Sequence, residues 1–220
     1  MIELERSGNV FVARMNLGEN RIGPAFLDRF NQVLDSVDRS ERASLVTTGS
    51  GRFYSNGLDI AGMSDLAAGT SAGFLGEFHR TLSRLLSFRR PTVAAINGHA
   101  FAAGAMLAVS HDCAVMRRDR GFFCLPEIDM ATGQPLTPAM YALLEARVPA
   151  GTLHELIVTG RRIGGEQAAA RKVVHEACNA ETVLPRAIEI ADRLARTDPD
   201  TLGARKRASH RDTLHAMDEG

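Results

Sequence analysis

Thr92-Val93-Ala94-Ala95-Ile96-Asn97-Gly98-His99-Ala100-Phe101-Ala102-Ala103-Gly104-Ala105 changes character twice along its length. Thr92 to Asn97 encloses an unbroken apolar run, Val93 to Ile96, the pattern of a strand covered on both faces. Gly98 then begins a loop of small residues. From about Ala103 to Ser110 the side chains stay mostly small and apolar, as in a tightly packed helix. A buried strand passing through a short loop into a helix is the unit of an α/β protein. Small residues also let the backbone approach a ligand, and the first turn of a helix adds partial positive charge. A close helix-packing seam has the same pattern, so this stretch indicates the fold class and leaves its chemistry open.

Upstream, the β-rich runs Ile2 to Arg6 and Asn9 to Met15, separated by Ser7-Gly8, read as a hairpin. Pro24 begins a helix with Phe26, Phe30, Val33, Leu34 and Val37 at helical spacing. Ser44 to Thr48 reads as a strand and Gly49 to Gly57 as a loop. Ala67 to Ser71 reads as a short flexible connection. Phe74, Phe78, Leu82, Leu85 and Leu86 mark a second amphipathic helix, ended by Arg90-Pro91. Downstream, strands near Cys113 to Met116 and Gly121 to Leu125 precede Pro126-Glu127. Helical patterns dominate from Pro138, and Asp198-Pro199 reads as the cap and first turn of the last helix. No internal repeat or clear linker interrupts this order.

With 220 residues, the chain suits one domain or a domain with a small appendage. Its formal net charge is +0, which argues against a nucleic-acid or acidic-membrane partner. The basic clusters Arg117-Arg118-Asp119-Arg120 and Arg205-Lys206-Arg207 read as solvated surface, although either suits a phosphate group. Cys113, Cys124 and Cys178 form no CxxC pair and read as reduced, mostly buried thiols. The charged start Met1 to Arg6 does not fit a signal peptide, and no apolar run approaches membrane-spanning length. Asp218-Glu219-Gly220 is not a peroxisomal signal, so the expectation is a soluble cytoplasmic protein.

A second small-residue loop lies at Gly49-Ser50-Gly51-Arg52-Phe53-Tyr54-Ser55-Asn56-Gly57-Leu58-Asp59-Ile60. Its glycine spacing fails the dinucleotide pattern, and no GK[ST] supports a nucleotide-phosphate loop. It reads either as a turn-rich connection or as a sharp turn at Asn56-Gly57 that aims the Leu58 N–H into a cleft. Beyond both loops stands Glu127, in Gly121-Phe122-Phe123-Cys124-Leu125-Pro126-Glu127-Ile128. Two sets of exposed N–H donors beside one carboxylate suit the removal of a proton next to a carbonyl. Pro-Glu also opens ordinary helices, so the residue pattern alone leaves a capping role available.

The run Gly51 to Ile60 resembles the first oxyanion-hole signature of the crotonase (enoyl-CoA hydratase/isomerase) superfamily, and Ala94 to Ala100 continuing to His111-Asp112 resembles the second. Pro126-Glu127 falls where that family carries a catalytic glutamate. Phe53 to Gly57, Ser110-His111-Asp112 and Met116 to Gly121 are especially similar to plant-type Δ3,Δ2-enoyl-CoA isomerases. The likeness covers roughly residues 2 to 195.

The resemblance implies an α/β fold with a ββα spiral core over residues 1–176 and an abbreviated helical segment over 177–220 that serves a homo-trimer. It implies an acyl-CoA thioester as substrate, with no separate cofactor and no metal. The N–H groups of Leu58 and Ala103 would hold the thioester oxygen. Ser55, Leu58, Asp59, Ile60 and Ala103 would meet substrate or CoA, and Glu19-Asn20-Arg21 would lie near the adenine. Two departures stand out. Ala103 replaces a usual glycine, which a backbone donor tolerates. Met106 stands where hydratases carry a second glutamate, and a methionine cannot move a proton.

The implied activity is therefore isomerisation of a 3-enoyl thioester to the 2-enoyl form. A hydratase and a non-catalytic acyl-CoA-binding subunit are the rivals. Asp59 and Asp112 read as braces or caps, and His99 and His111 as structural. Phe53, Phe101 and Phe122 read as core packing first and acyl-pocket lining second.

Overall fold

In the computed structural model, which describes residues 1–64, 68–129 and 136–219, strands and helices alternate along the chain. The hairpin joins β1 (Ile2–Ser7) to β2 (Val10–Met15). Its turn is Gly8-Asn9, one residue later than the sequence pattern indicates, because Ser7 still pairs with Val10. Helix α1 (Pro24–Asp38) starts at its proline and buries Phe26, Leu27, Phe30, Val33, Leu34 and Val37. Next come β3 (Ser44–Gly49), β4 (Phe53–Ser55), α2 (Ile60–Ser64), α3 (Ala68–Leu86), β5 (Thr92–Ile96), β6 (His99–Phe101) and α4 (Ala103–Val109). Strands β7 (Cys113–Arg117) and β8 (Phe123–Cys124) lead to a 3-10 turn at Pro126–Asp129. The remainder comprises α5 (Pro138–Arg147), α6 (Ala150–Thr159), α7 (Gly165–Ala170), β9 (Glu176–Cys178), α8 (Ala180–Leu194), α9 (Pro199–Ser209) and α10 (Arg211–Glu219).

Two sheets organise these elements. The larger has the order β1-β2-β3-β5-β7-β9, and the smaller β4-β6-β8. Among the described strand pairs only β1–β2 is antiparallel. The chain leaves the large sheet after β3, β5 and β7 and enters the small one each time within a few residues. Three such passages make a β-β-helix spiral that the sequence does not repeat. Its corners are tight: a Cβ on Gly98 would stand 2.1 Å from the Arg52 carbonyl oxygen of the preceding turn. Only hydrogen fits there.

The large sheet is covered on both sides, as parallel sheets require. Val93 and Ala95 of β5 join Val10, Val12, Val46 and Val115 under Val183, Ala187, Ile190 and Ala191 of α8. Ala94 and Ile96 point the opposite way, into the main core with Phe30, Phe78, Leu82 and Phe123. This two-sided burial explains why β5 reads as a continuous apolar run. Helix α10 packs back against α3 and α5. Thr137 and Asp198 cap α5 and α9 by accepting from the Met140 and Thr201 N–H groups.

Several sequence readings need correction. The two apparent loops each contain a strand, β4 and β6, of three residues apiece. Such short segments carry too little alternation to read as strands and form only by pairing with each other and β8. Strand β9 lies in a region that reads as helical. Ala67 is outside the described residues, while Ala68–Ser71 belong to α3 rather than to a connection.

Lys206 is not solvated surface. It is 7% exposed, and its ammonium donates to the Phe88 carbonyl (2.7 Å), the Arg90 carbonyl (3.3 Å) and Asp112 Oδ2 (2.6 Å). Asp112 also accepts from the Thr92 N–H (2.8 Å) and Oγ1 (3.2 Å), so the pair ties α9 to the start of β5. Burial lowers the lysine pKa, and the Asp112 charge opposes that shift. Removing one partner from such a buried pair is strongly destabilising. Lys206→Met is expected to reduce the unfolding free energy by about 3 kcal/mol in urea denaturation; an unchanged midpoint would show that the pair does not stabilise the fold.

Candidate active site

The small sheet brings the loops together. Phe53 of β4 aligns with His99 of β6, and Ala100 and Phe101 of β6 align with Phe123 and Cys124 of β8. All three strands run parallel, so the segments leaving them emerge on one edge: Asn56-Gly57-Leu58, Ala102-Ala103 and Leu125-Pro126-Glu127. Adjacent strands lie about 4.8 Å apart. The carboxyl ends of parallel strands are also where open α/β sheets receive ligands.

The first loop is braced from below. Ser55 is fully buried; its hydroxyl donates to the Asn20 carbonyl (2.7 Å) and accepts from the Gly57 N–H (3.3 Å). The Asn20 side chain donates to the Phe53 and Tyr54 carbonyls and accepts from the Leu17 N–H. Glu19 takes hydrogen bonds from Arg21 and Asn56, which places Glu19-Asn20-Arg21 against this loop. On either side of Leu58, the Ile22 N–H donates to the Gly57 carbonyl (2.8 Å) and the Asp59 N–H to the Ile22 carbonyl (2.9 Å). The Leu58 N–H itself finds no acceptor among the described residues. Asp59 accepts from the Gly62 N–H in α2, a brace as expected, and Ile60 is exposed at the helix start.

The second loop enters α4 through Ala102. The Ala102 N–H donates to the Cys124 carbonyl (3.0 Å), and its carbonyl accepts from the Ala105 (2.9 Å) and Met106 (3.1 Å) N–H groups. Ala103, the first residue of α4, is buried, and its N–H has no acceptor within the helix. Gly57, with φ +88°, rests against this loop: a Cβ there would lie 3.5 Å from the Ala103 nitrogen. The Leu58 and Ala103 loops therefore touch. Met106 is 1% exposed and puts a thioether where it can neither take nor give a proton.

Glu127 occupies the 3-10 turn after β8. Its Oε2 is buried and has no hydrogen-bond partner among the described residues. Burial pushes its carboxyl above the ordinary value, and its own backbone N–H offsets part of that shift. A buried carboxylate oxygen without a partner is costly in a purely structural role.

The histidines behave differently. His111 Nδ1 donates to the Leu107 carbonyl (2.9 Å); in the neutral ring that burial favours, Nε2 then accepts from Thr47 Oγ1 (2.9 Å), which in turn accepts from the Tyr54 hydroxyl (2.8 Å). The buried chain accommodates a neutral ring, in keeping with a structural role. His99 sits among Phe53 (5.3 Å), Phe101 (4.8 Å) and Phe122 (5.6 Å). These rings form an aromatic group around His99 rather than part of the main core, and Phe122 is 39% exposed. Sequence reasoning missed the bracing by Asn20 and the junction at Ala102. Asn20 has a faint signal, as asparagine tolerates its φ of 51°; Ala102 has none.

This spiral of two sheets, with two backbone loops and the Glu127 carboxylate at a common edge, defines a crotonase-type α/β protein. The enoyl-CoA hydratase/isomerase family profile matches residues 5–219, and the chain belongs to that family. It is 34% identical over 207 residues to enoyl-CoA delta isomerase 3 of Arabidopsis thaliana, covering 89% of this chain and 85% of the relative. It is 33% identical to the peroxisomal enoyl-CoA delta isomerase 2 of the same plant, with the same coverage of each chain. A solved structure described as a probable enoyl-CoA hydratase from Mycobacterium tuberculosis superposes with TM-score 0.91 at 28% identity, covering 100% of this chain and 92% of the other. Another structure of that mycobacterial protein is described as an enoyl-CoA isomerase (TM-score 0.89, 28% identity, 98% and 93% covered). The two descriptions assign different activities, so the reaction has to be argued from the site. Among the described residues no helix is long and apolar enough to cross a membrane.

Burial lowers the His111 pKa to about 4 from its ordinary 6.5. The unfolded chain therefore binds the proton first, and the neutral ring's contribution is lost as pH falls from 6.5 towards 4. This group should remove roughly 3 kcal/mol of stability across that interval. Chemical denaturation at several pH values, with the His111 ring followed by NMR, checks this; a ring that protonates near pH 6.5 would refute it.

Proposed function

We propose that this chain is an enoyl-CoA isomerase that converts a 3-enoyl-CoA to the 2-enoyl-CoA by proton transfer through Glu127. The observation that carries this reading is the buried Glu127 Oε2, without a partner among the described residues, on the sheet edge that also presents the Leu58 and Ala103 N–H groups. In this mechanism the Glu127 carboxylate removes a proton from C2 of the substrate. The electrons of the broken C–H bond move towards the thioester oxygen, and a dienolate forms. The Leu58 and Ala103 N–H groups hold the developing charge, and one such donor is worth on the order of 2.7–4 kcal/mol. The protonated Glu127 then returns the proton at C4, leaving the double bond between C2 and C3. One carboxyl group serves both transfers.

Burial of Glu127 supports its role as base, because a raised pKa strengthens the base while leaving it ionised above that value. Hydration needs water to be deprotonated as the α-carbon is protonated, and Met106 supplies no second acid. Among the other proposed contacts, Leu58, Asp59, Ile60 and Ala103 border the edge where the thioester and pantetheine would lie. Ser55 is buried beneath it and supports the loop. The homo-trimer implied by the family resemblance belongs to this proposal, and exposed Ile128, Tyr141 and Val158 supply apolar surface for subunit contacts.

The test follows the conjugated enoyl-thioester absorbance with a 3-enoyl-CoA and, separately, a 2-enoyl-CoA. A rise with the first and no decay with the second is expected. Decay with the second points to hydration, and binding without change in either indicates a non-catalytic acyl-CoA subunit. Glu127→Gln should reduce kcat by about 10²–10⁴-fold while sparing binding. The wild-type rate should rise with pH through an apparent pKa above the ordinary carboxylate value. A raised folded-state pKa also means that ionising Glu127 opposes folding as pH rises, so Glu127→Gln should melt higher than wild type at pH 7. A variant with near-normal activity would remove Glu127 from the mechanism.

A further inference from the structure

Ala102 adopts φ 50° and ψ −125°, a conformation that glycine takes readily and alanine does not. Nothing in its hydrogen bonding requires a side chain. The N–H reaches Cys124 in β8 and the carbonyl receives the first N–H groups of α4, all through the backbone. What the side chain does touch is the other loop. A Cβ built on Gly57 would stand 3.1 Å from the Ala102 Cβ, so the Ala102 methyl lies against the Gly57 backbone. Gly57 immediately precedes Leu58, and Ala102 immediately precedes Ala103. This methyl group on a strained backbone thus lies where the two loops that carry the proposed oxyanion donors meet.

We propose that Ala102 is a positioning residue whose methyl sets the separation of the Leu58 and Ala103 N–H groups, at the expense of backbone strain. This rests on the reading of those groups as the oxyanion donors. Preorganisation gives the strain a use: donors fixed before the substrate arrives need no reorganisation as charge develops on the oxygen. Without the methyl, two glycines would face each other across the contact, and both loops would gain freedom where small displacements matter most. The Ala100 N–H donates to the Phe122 carbonyl and the Ala102 N–H to the Cys124 carbonyl, so Ala102 continues the pairing of β6 with β8 while its methyl meets the loop that follows β4.

Ala102→Gly separates this role from ordinary packing. Relief of strain should raise Tm by about 2–4 °C. The kcat for a 3-enoyl-CoA should fall about 10- to 100-fold with KM unchanged, because the donors act most strongly on the transition state. Ala102→Ser restores a Cβ and should restore kcat. Opposite movements of Tm and kcat in the glycine variant, reversed by serine, support the proposal. A glycine variant with wild-type kcat, one that melts lower, or a serine variant as slow as glycine overturns it. Wild-type turnover is measured first: an inactive wild type defeats the isomerase reading and the spacer with it, whereas an active wild type with an equally active glycine variant defeats the spacer alone.

Discussion

Parallel pairing of three very short strands carries the rest of this structure. β4, β6 and β8 contribute few backbone hydrogen bonds, yet their register decides where Leu58, Ala103 and Glu127 stand relative to one another. None of the three strands has the length to persist alone. They are held by the large sheet, because each follows a strand of that sheet within a few residues and through a corner too tight for a side chain, at Gly49, Gly98 and Gly121 respectively. Rigidity at the site is therefore borrowed from the valine-rich strands beneath α8.

Support and chemistry are divided between side chains and backbone. Ser55, Asn20 and the Tyr54–Thr47–His111 chain place their polar groups inward, where hydrogen bonds hold the loops and the large sheet. Buried Ser44 Oγ, Arg90 Nε, His99 Nδ1 and Glu127 Oε2 have no hydrogen-bond partner among the described residues, nor does the Leu58 N–H; of these, the Leu58 N–H and Glu127 Oε2 stand on the edge of the small sheet. A folded protein satisfies nearly all buried polar atoms, so two open groups of opposite character on one edge suit a ligand that meets both. The positive φ at Ala102 fits the same division, as strain is tolerated where the surrounding structure is stiff enough to impose it.

Legibility followed the range of the forces involved. Helix starts at Pro24, Pro138 and Pro199 could be read because a proline or a capping side chain acts within one turn. Strand β5 could be read because burial on both faces leaves an apolar run. The strands β4 and β6 could not, since their partners lie some 45 residues apart in the chain. The buried state of Lys206 was hidden for the same reason, as its carboxylate partner Asp112 belongs to a distant turn.

By itself the sequence determined the α/β class, the family through its two loop signatures, and the candidate base Glu127 with Met106 in place of a second acid. These are matters of residue identity and local pattern. Only the tertiary structure decided that the two loops touch, that Glu127 keeps a buried oxygen without a partner among the described residues, that Ser55 faces inward, and that Ala102 is strained against Gly57. Each of these depends on backbone atoms from separate turns of the spiral meeting at one edge. A backbone N–H has the same identity in every residue except proline, so its direction is invisible until the strands are paired.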